Sequence, residues 1–269
     1  MIDIVAQTVL FAIPVVLVLI FLAFLPPIIF VFWFRNTERY EREPWKQVFR
    51  AFVWGAFIGV IVAVILSFIL ATILLEAGTF LLRHVHVGLV EALDAQLNLS
   101  LLILLVVVAP VTEEFAKGLG VFRVRGYINE VEDGVVYGAA AGLGFGATEN
   151  LAYGAIAFAT AGLGASLILI GVRSFSSALL HAAATGTFGY GVAVSKLVPG
   201  KTLLPFYLLA VLMHGTFNLF AGLGELFVQD IGLAAASFGL VVAVALALIA
   251  LSLTRSTIAR HDQPAQPPA

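Results

Sequence analysis

Leu99–Val111, an apolar stretch, runs directly into Thr112-Glu113-Glu114-Phe115-Ala116-Lys117. How that junction is read decides the fold. Each charge at membrane depth costs roughly 2.5–3.5 kcal/mol even on lenient insertion scales, so two carboxylates and a lysine at the end of a membrane segment mark a functional site by default. The same signature recurs in later apolar stretches as Glu149-Asn150, as His181 with Arg173 upstream, and as His214 with Asn218 four residues on. The whole chain is built this way. Of its 269 residues 61% are hydrophobic and 11% charged, with a mean hydropathy of +1.08. Soluble domains carry about 25% charged residues, which excludes that class and leaves an all-α polytopic bundle in the membrane. Cysteine is absent, so disulfides, thiolate nucleophiles and Cys-ligated metals are excluded.

Apolar runs of about 20 residues cross a hydrocarbon core about 30 Å thick. They predict about seven spans, at 9–34, 48–75, 99–121, 134–160, 165–195, 203–224 and 231–254. The first is too long for a signal-peptide core and is expected to be a retained helix kinked at Pro26-Pro27. The fifth is overlong and is expected to tilt or to project from the bilayer. Basic residues gather at Arg35–Arg50, Arg123–Arg125, Lys196–Lys201 and Arg255–Arg260; the alternate loops hold only Arg83 beside Asp3, Glu76, Glu91, Asp94, Glu225 and Asp230. The bias predicts an outer amino terminus and a cytoplasmic carboxyl terminus. Residues 1–260 are expected to form one integral membrane domain, followed by a disordered tail at 261–269. No internal repeat is evident, which disfavours a repeat-built transporter.

Helical rise places Glu114 about 10 Å from the cytoplasmic boundary, His214 about 17 Å, and His181 and Glu149 about 21–22 Å, near enough in depth to share a layer. Lys117 stands at i,i+4 to Glu113 and i,i+3 to Glu114, and His214 at i,i+4 to Asn218, so each set shares a face. Gly134, Gly138, Gly142 and Gly146 form a small-residue stripe leading to Glu149, and Ala182–Gly186 a second such surface after His181, both suited to close helix approach.

Each polar group also has a structural reading. The Glu113, Glu114 and Lys117 set can be an interfacial ion pair with a snorkelling lysine. Glu149-Asn150 can be interhelical glue, the histidines can be packing residues, and Arg173 can be structural or a carboxylate partner. His84-x-His86 looks ligand-like but falls in an exposed outer loop, where a solvated role is expected. The mixed segment 35–46 reads as an orientation signal and headgroup contact.

Taken together and in order, these landmarks resemble the PrsW family of intramembrane proteases, within the superfamily of CAAX prenyl endopeptidases and Abi immunity proteins. They are Glu41-Arg42-Glu43-Pro44, Arg50-Ala51-Phe52-Val53-Trp54-Gly55, Glu113-Glu114-x-x-Lys117, Phe145-x-x-x-Glu149-Asn150, His181 and His214-x-x-x-Asn218. CAAX enzymes carry Arg in the place of Lys117 and His in the place of Glu149-Asn150, so the PrsW branch matches better. The resemblance implies endoproteolysis of a membrane-anchored protein in a prokaryotic plasma membrane, in the namesake's case an anti-sigma factor. It implies water activated by a glutamate and a histidine, with a His/Asn pair at the oxyanion. The implied partners are that substrate and the lipid bilayer, with no nucleic acid; oligomeric state is left open.

Peptide hydrolysis needs a nucleophile, a base, an acid for the leaving amine and oxyanion donors. With no Cys and no Ser patterned with a His, water is the expected nucleophile. Glu113 or Glu114, with Glu113 preferred, is expected to take its proton, Lys117 to hold the carboxylate, and His181 to orient the water or protonate the amine. His214 and Asn218 are expected at the oxyanion, and Glu149 is carried as a further catalytic candidate with Asn150 and Arg173 in support. A metal-free site is preferred because the histidines come from different helices with no H-E-x-x-H spacing. Zinc on Glu113, His181 and His214 is the chemically sound alternative. Rival readings are a CAAX-type or Abi-like role, a proton-coupled transporter, and an idle helix-binding scaffold.

Overall fold

A computed structural model describes residues 2–84 and 99–262. Among these, no strand occurs and every regular element is helical. Helix α1 spans Ile2–Arg35 with Pro14, Pro26 and Pro27 inside it. α2 (Trp45–Val53) continues through a π-turn at Trp54–Gly59 into α3 (Val60–His84). α4 (Leu99–Ile103) likewise passes through a π-turn, Leu104–Val108, into α5 (Ala109–Val124). α6 (Val131–Ser174), α7 (Ser177–Leu197) and α8 (Leu204–His261) complete the bundle.

Among the described residues, five stretches are long and apolar enough to cross a membrane: Ile13–Arg35, Trp45–Leu74, Val131–Leu197, Leu204–Leu223 and Ser237–His261. The expected span 99–121 is helical but not among them, since Glu113, Glu114 and Lys117 place three charges in it. The 67-residue stretch Val131–Leu197 covers two expected spans. It is broken twice. Gly162 sits at φ +83°, where a Cβ would be strained, and Phe175 and Ser176 leave helical geometry between α6 and α7. The excess length expected of the fifth span is thus taken up by a break rather than by tilt alone. α8 also reverses: a Cβ on Gly239 would collide with the Phe220 carbonyl, so the arms Leu204–Leu223 and Ser237–His261 lie side by side.

The core is centred on the first half of α6, whose residues 132–147 are all buried. Its glycine stripe lets α7 approach to backbone contact. A Cβ on Gly138 would strike the Thr185 carbonyl, and one on Gly142 the His181 carbonyl. That proximity carries His181 to Glu149.

In the loop before α2, two of the acidic residues expected at the headgroups fold inward instead. Glu38 and Glu43 are buried there against Glu132 and Asp133 at the start of α6. Asp262, just after α8, accepts from the backbone N–H groups of Arg39 (2.7 Å) and Tyr40 (3.2 Å), fastening the last helix to the loop after the first. Residues 263–269 of the expected tail lie outside the described residues. So do His86, Glu91 and Asp94, and the side chains of Asp3, Arg83, His84, Glu225 and Asp230.

Candidate active site

Four helices supply the site. α5 presents Glu113, Glu114 and Lys117 from adjacent turns, and α6 places Glu149 beyond its glycine stripe. α7 brings His181 and Thr185, and the first arm of α8 brings His214. α5 runs three residues past its expected end to Val124, which sets Glu114 about 15 Å from the helix terminus, deeper than its sequence position implied.

Lys117 is the hub. Fully buried, its Nζ donates to Glu114 Oε1 at 2.7 Å, lies 2.8 Å from His181 Nδ1 and 3.3 Å from Glu113 Oε2, and sits 4.3 Å from the centre of the Phe145 ring. An ammonium has only donors, so His181 Nδ1 accepts, and its Nε2–H donates to Glu149 Oε2 at 2.7 Å. Glu149 Oε2 also meets Arg173 Nη2 at 2.9 Å. Arg173 is fixed by Asn150 Oδ1 and Ser177 Oγ, both at 3.1 Å, and its guanidinium lies 3.9 Å from the centre of the Tyr153 ring. Two cations therefore serve three carboxylates at depth, as buried charge requires.

The paired glutamates differ. Glu114 is fully buried and saturated: Oε1 takes Lys117 and His214 Nδ1 (2.9 Å), and Oε2 takes the Thr185 hydroxyl (2.8 Å). With Nδ1 committed to that carboxylate, His214 turns Nε2 toward Glu113 Oε2, 3.8 Å away. Glu113 is 14% exposed, and its buried Oε2 has no hydrogen-bond partner. The imidazoles of His181 and His214 stand perpendicular with centroids 4.7 Å apart. Glu113, His181 and His214 each offer an atom within 4.8 Å of the other two.

Asn218 is placed elsewhere. Its amide donates to the Leu105 carbonyl at 2.9 Å, inside the second π-turn, where the widened helix frees a carbonyl. The first π-turn behaves likewise, with Thr148 donating to the Ala56 carbonyl at 2.6 Å. Sequence reasoning missed Thr185 and Ser177 as partners of the charged groups. Thr185 was within reach of it, standing at i,i+4 to His181.

Carboxylates and imidazoles gathered among apolar helices, with an unsatisfied carboxylate oxygen at their centre, define the class of membrane-embedded proteases. The profile of the PrsW family intramembrane metalloproteases matches residues 43–251, and the chain belongs to that family. Protease PrsW of Clostridioides difficile (strain 630) is 28% identical over 209 residues, covering 74% of this chain and 77% of that protein. No solved structure matches the chain.

Proposed function

We propose that this intramembrane protease hydrolyses a peptide bond of a membrane-anchored protein, of the anti-sigma-factor kind, with water activated by Glu113 and His214. The observation that carries this is Glu113 Oε2, ion-paired with Lys117 yet without a hydrogen-bond partner, facing His214 Nε2. Those two acceptors take the hydrogens of the water and aim its lone pair at the scissile carbonyl. As the oxygen–carbon bond forms, Glu113 takes the proton; as the carbon–nitrogen bond breaks, Glu113 returns it to the amine. Glu114 and Thr185 hold His214 in that tautomer. His181, backed by Glu149 and Arg173, orients Lys117, whose ammonium sets the positive charge toward the oxyanion. Asn218 is read as holding the His214 helix against the π-turn rather than as an oxyanion donor.

The donor set fits a metal in part. Glu113 Oε2 has no hydrogen-bond partner, and His214 is backed through Nδ1 by a carboxylate, as ligating histidines usually are. The expectation against zinc rested on histidines from different helices, yet packing brings them to one centre. Glu113 and His214 would hold the ion, with His181 joining them by giving up its bond to Lys117 or Glu149, and the ion would supply Lewis-acid polarisation. Metal analysis of the purified protein, with cleavage before and after chelation and re-addition, decides between the two chemistries.

The domain is read as a single unit over 1–260 with seven crossings, amino terminus outside and carboxyl terminus in the cytoplasm of a prokaryotic cell, within the CAAX and Abi superfamily. The breaks at Gly162, at Phe175-Ser176 and within α8 support that count. Because the chain has no cysteine, single cysteines at Gly126 and Ala161 should label from opposite sides, Gly126 from the cytoplasm. For catalysis, Glu113→Gln and Glu114→Gln variants are tested on a membrane-anchored reporter after insertion is verified. Cleavage by Glu113→Gln should fall by roughly 10²–10⁴. Parental rates in both variants would end the proposal.

A further inference from the structure

The helices that carry the site are held in place by two different means. α2 and its π-turn pack on α6 at backbone contact: a Cβ on Gly55 would strike the Ala141 carbonyl, and one on Gly144 the Phe52 carbonyl. α7 meets α6 as closely at Gly138 and Gly142. The main chain itself therefore sets the spacing of these elements, and Glu149 and His181 ride on it. Thr148, next to Glu149, adds its bond to the Ala56 carbonyl inside the π-turn. The glycines of α5 meet rings instead, Gly118 against Phe188 and Gly120 against Trp54. Its tethers are side-chain hydrogen bonds. Tyr207 donates to the Val111 carbonyl at 2.8 Å, Ser67 pairs with Thr112, and the Trp54 indole N–H donates to the Ala116 carbonyl at 2.9 Å. The first two come before the paired glutamates; of the three, only Trp54 holds α5 beyond them, at the peptide that leads into Lys117.

Trp54 opens the first π-turn, so it carries the register of α6 across to α5. Its ring lies on the α5 backbone, where only a glycine at position 120 leaves room, and the Arg123 guanidinium covers it 4.7 Å from the ring centre. A carbonyl oxygen has two lone pairs, so that of Ala116 can serve both its own helix and the indole. The consequence falls on His181. Its imidazole bridges Lys117 Nζ at 2.8 Å and Glu149 Oε2 at 2.7 Å, and a rigid ring cannot lengthen to follow a drift of α5 away from α6. From this we propose that Trp54 is a positioning residue for the hydrolysis: its N–H sets the rotation and depth of α5, and with them the reach of Lys117 to His181 and of Glu113 to His214. The inference rests on the reading that places Glu113 and Lys117 in the reaction.

The test uses the full-length protein with a membrane-anchored reporter substrate. Trp54 is replaced site-specifically by benzothienylalanine, which keeps the shape of the indole and puts a sulfur where the N–H was, so the fold is retained while the bond is lost. Its kcat should fall roughly tenfold with KM within about twofold, since a misplacement of about 1 Å can cost 10²-fold in rate. Its melting temperature should stay near that of the parent. Gly120→Ala, which pushes the ring off its seat, should lower kcat in the same way. The two changes combined should cost no more than the larger alone, because both act through one bond. A parental kcat in the sulfur analogue, or losses that multiply in the combination, would overturn the role of Trp54. Glu113→Gln is assayed beside them. If it loses cleavage while the sulfur analogue does not, Trp54 alone has been misread; if it cleaves at the parental rate, the catalytic reading fails and the role of Trp54 falls with it.

Discussion

Two groups of buried carboxylates lie along the same central helix, one at its start and one just past its glycine stripe, and they are neutralised by opposite means. Around Lys117, three glutamates are met by fixed cations and imidazoles. Beneath the loop before α2, Glu38, Glu43, Glu132 and Asp133 are buried, and among the described residues none of the four forms an ion pair. Arg35 turns its Nε to the Glu43 carbonyl at 2.7 Å, not to the carboxylate, which instead receives the Tyr137 hydroxyl. There protons do the work of cations. Burial, with Asp133 beside it, pushes the Glu43 carboxyl up to about 10, and burial pushes Glu38 up to about 8. Fixed cations keep a carboxylate able to act as a base in an apolar medium. Protons make it a neutral strut.

The strongest way to break this contrast is Lys117→Met. It strands Glu114 without its cation, and removing one partner of a buried pair costs about 3–5 kcal/mol. The variant should melt far lower in detergent than the parent, and Lys117→Met/Glu114→Gln should recover part of the loss. An unchanged melting temperature would mean the charges are not held by each other. Next in size is Thr185→Val, which removes a hydroxyl donor to a charged acceptor worth about 1.5–3 kcal/mol. It should reduce kcat with little change in KM, because its effect passes through Glu114 to His214; Thr185→Ser should restore most of the rate.

The loop cluster is read against pH. Both carboxyls sit above the ordinary 4.5, so the native state holds protons that the unfolded chain releases. Their contribution is complete below pH 4.5 and is lost as pH rises, through about 8 for Glu38 and about 10 for Glu43. Melting temperature should therefore decline between pH 6 and 10, and Glu38→Gln/Glu43→Gln should flatten the decline. A slope that persists in the double variant would place the titration elsewhere.

Most of the membrane-length helices and most of the candidate site were legible because their signals are energetic. A carboxylate or imidazole in an apolar run is costly wherever it points, so Glu113, Glu114, Lys117, Glu149, His181 and His214 could be picked out without knowing their partners. Partner choice was not legible. Asn218 turned to Leu105 because of a π-turn among Leu104–Val108, residues that would serve equally in a regular helix. The break at Phe175-Ser176 hides in an apolar context for the same reason. Glu38 and Glu43 were misjudged because charges in a short loop between spans carry a strong topological signal, and that signal is silent about which of them fold inward.

The Asp262 clasp bears on the order of assembly. The amide groups of Arg39 and Tyr40 find their acceptor only in the residue that follows the last helix. The loop after α1 thus waits for the residue after α8, synthesised more than two hundred residues later, before it is secured, and the neutral carboxyl strut in that loop settles with it. Replacing Asp262 by Ala would leave that side of the bundle ajar.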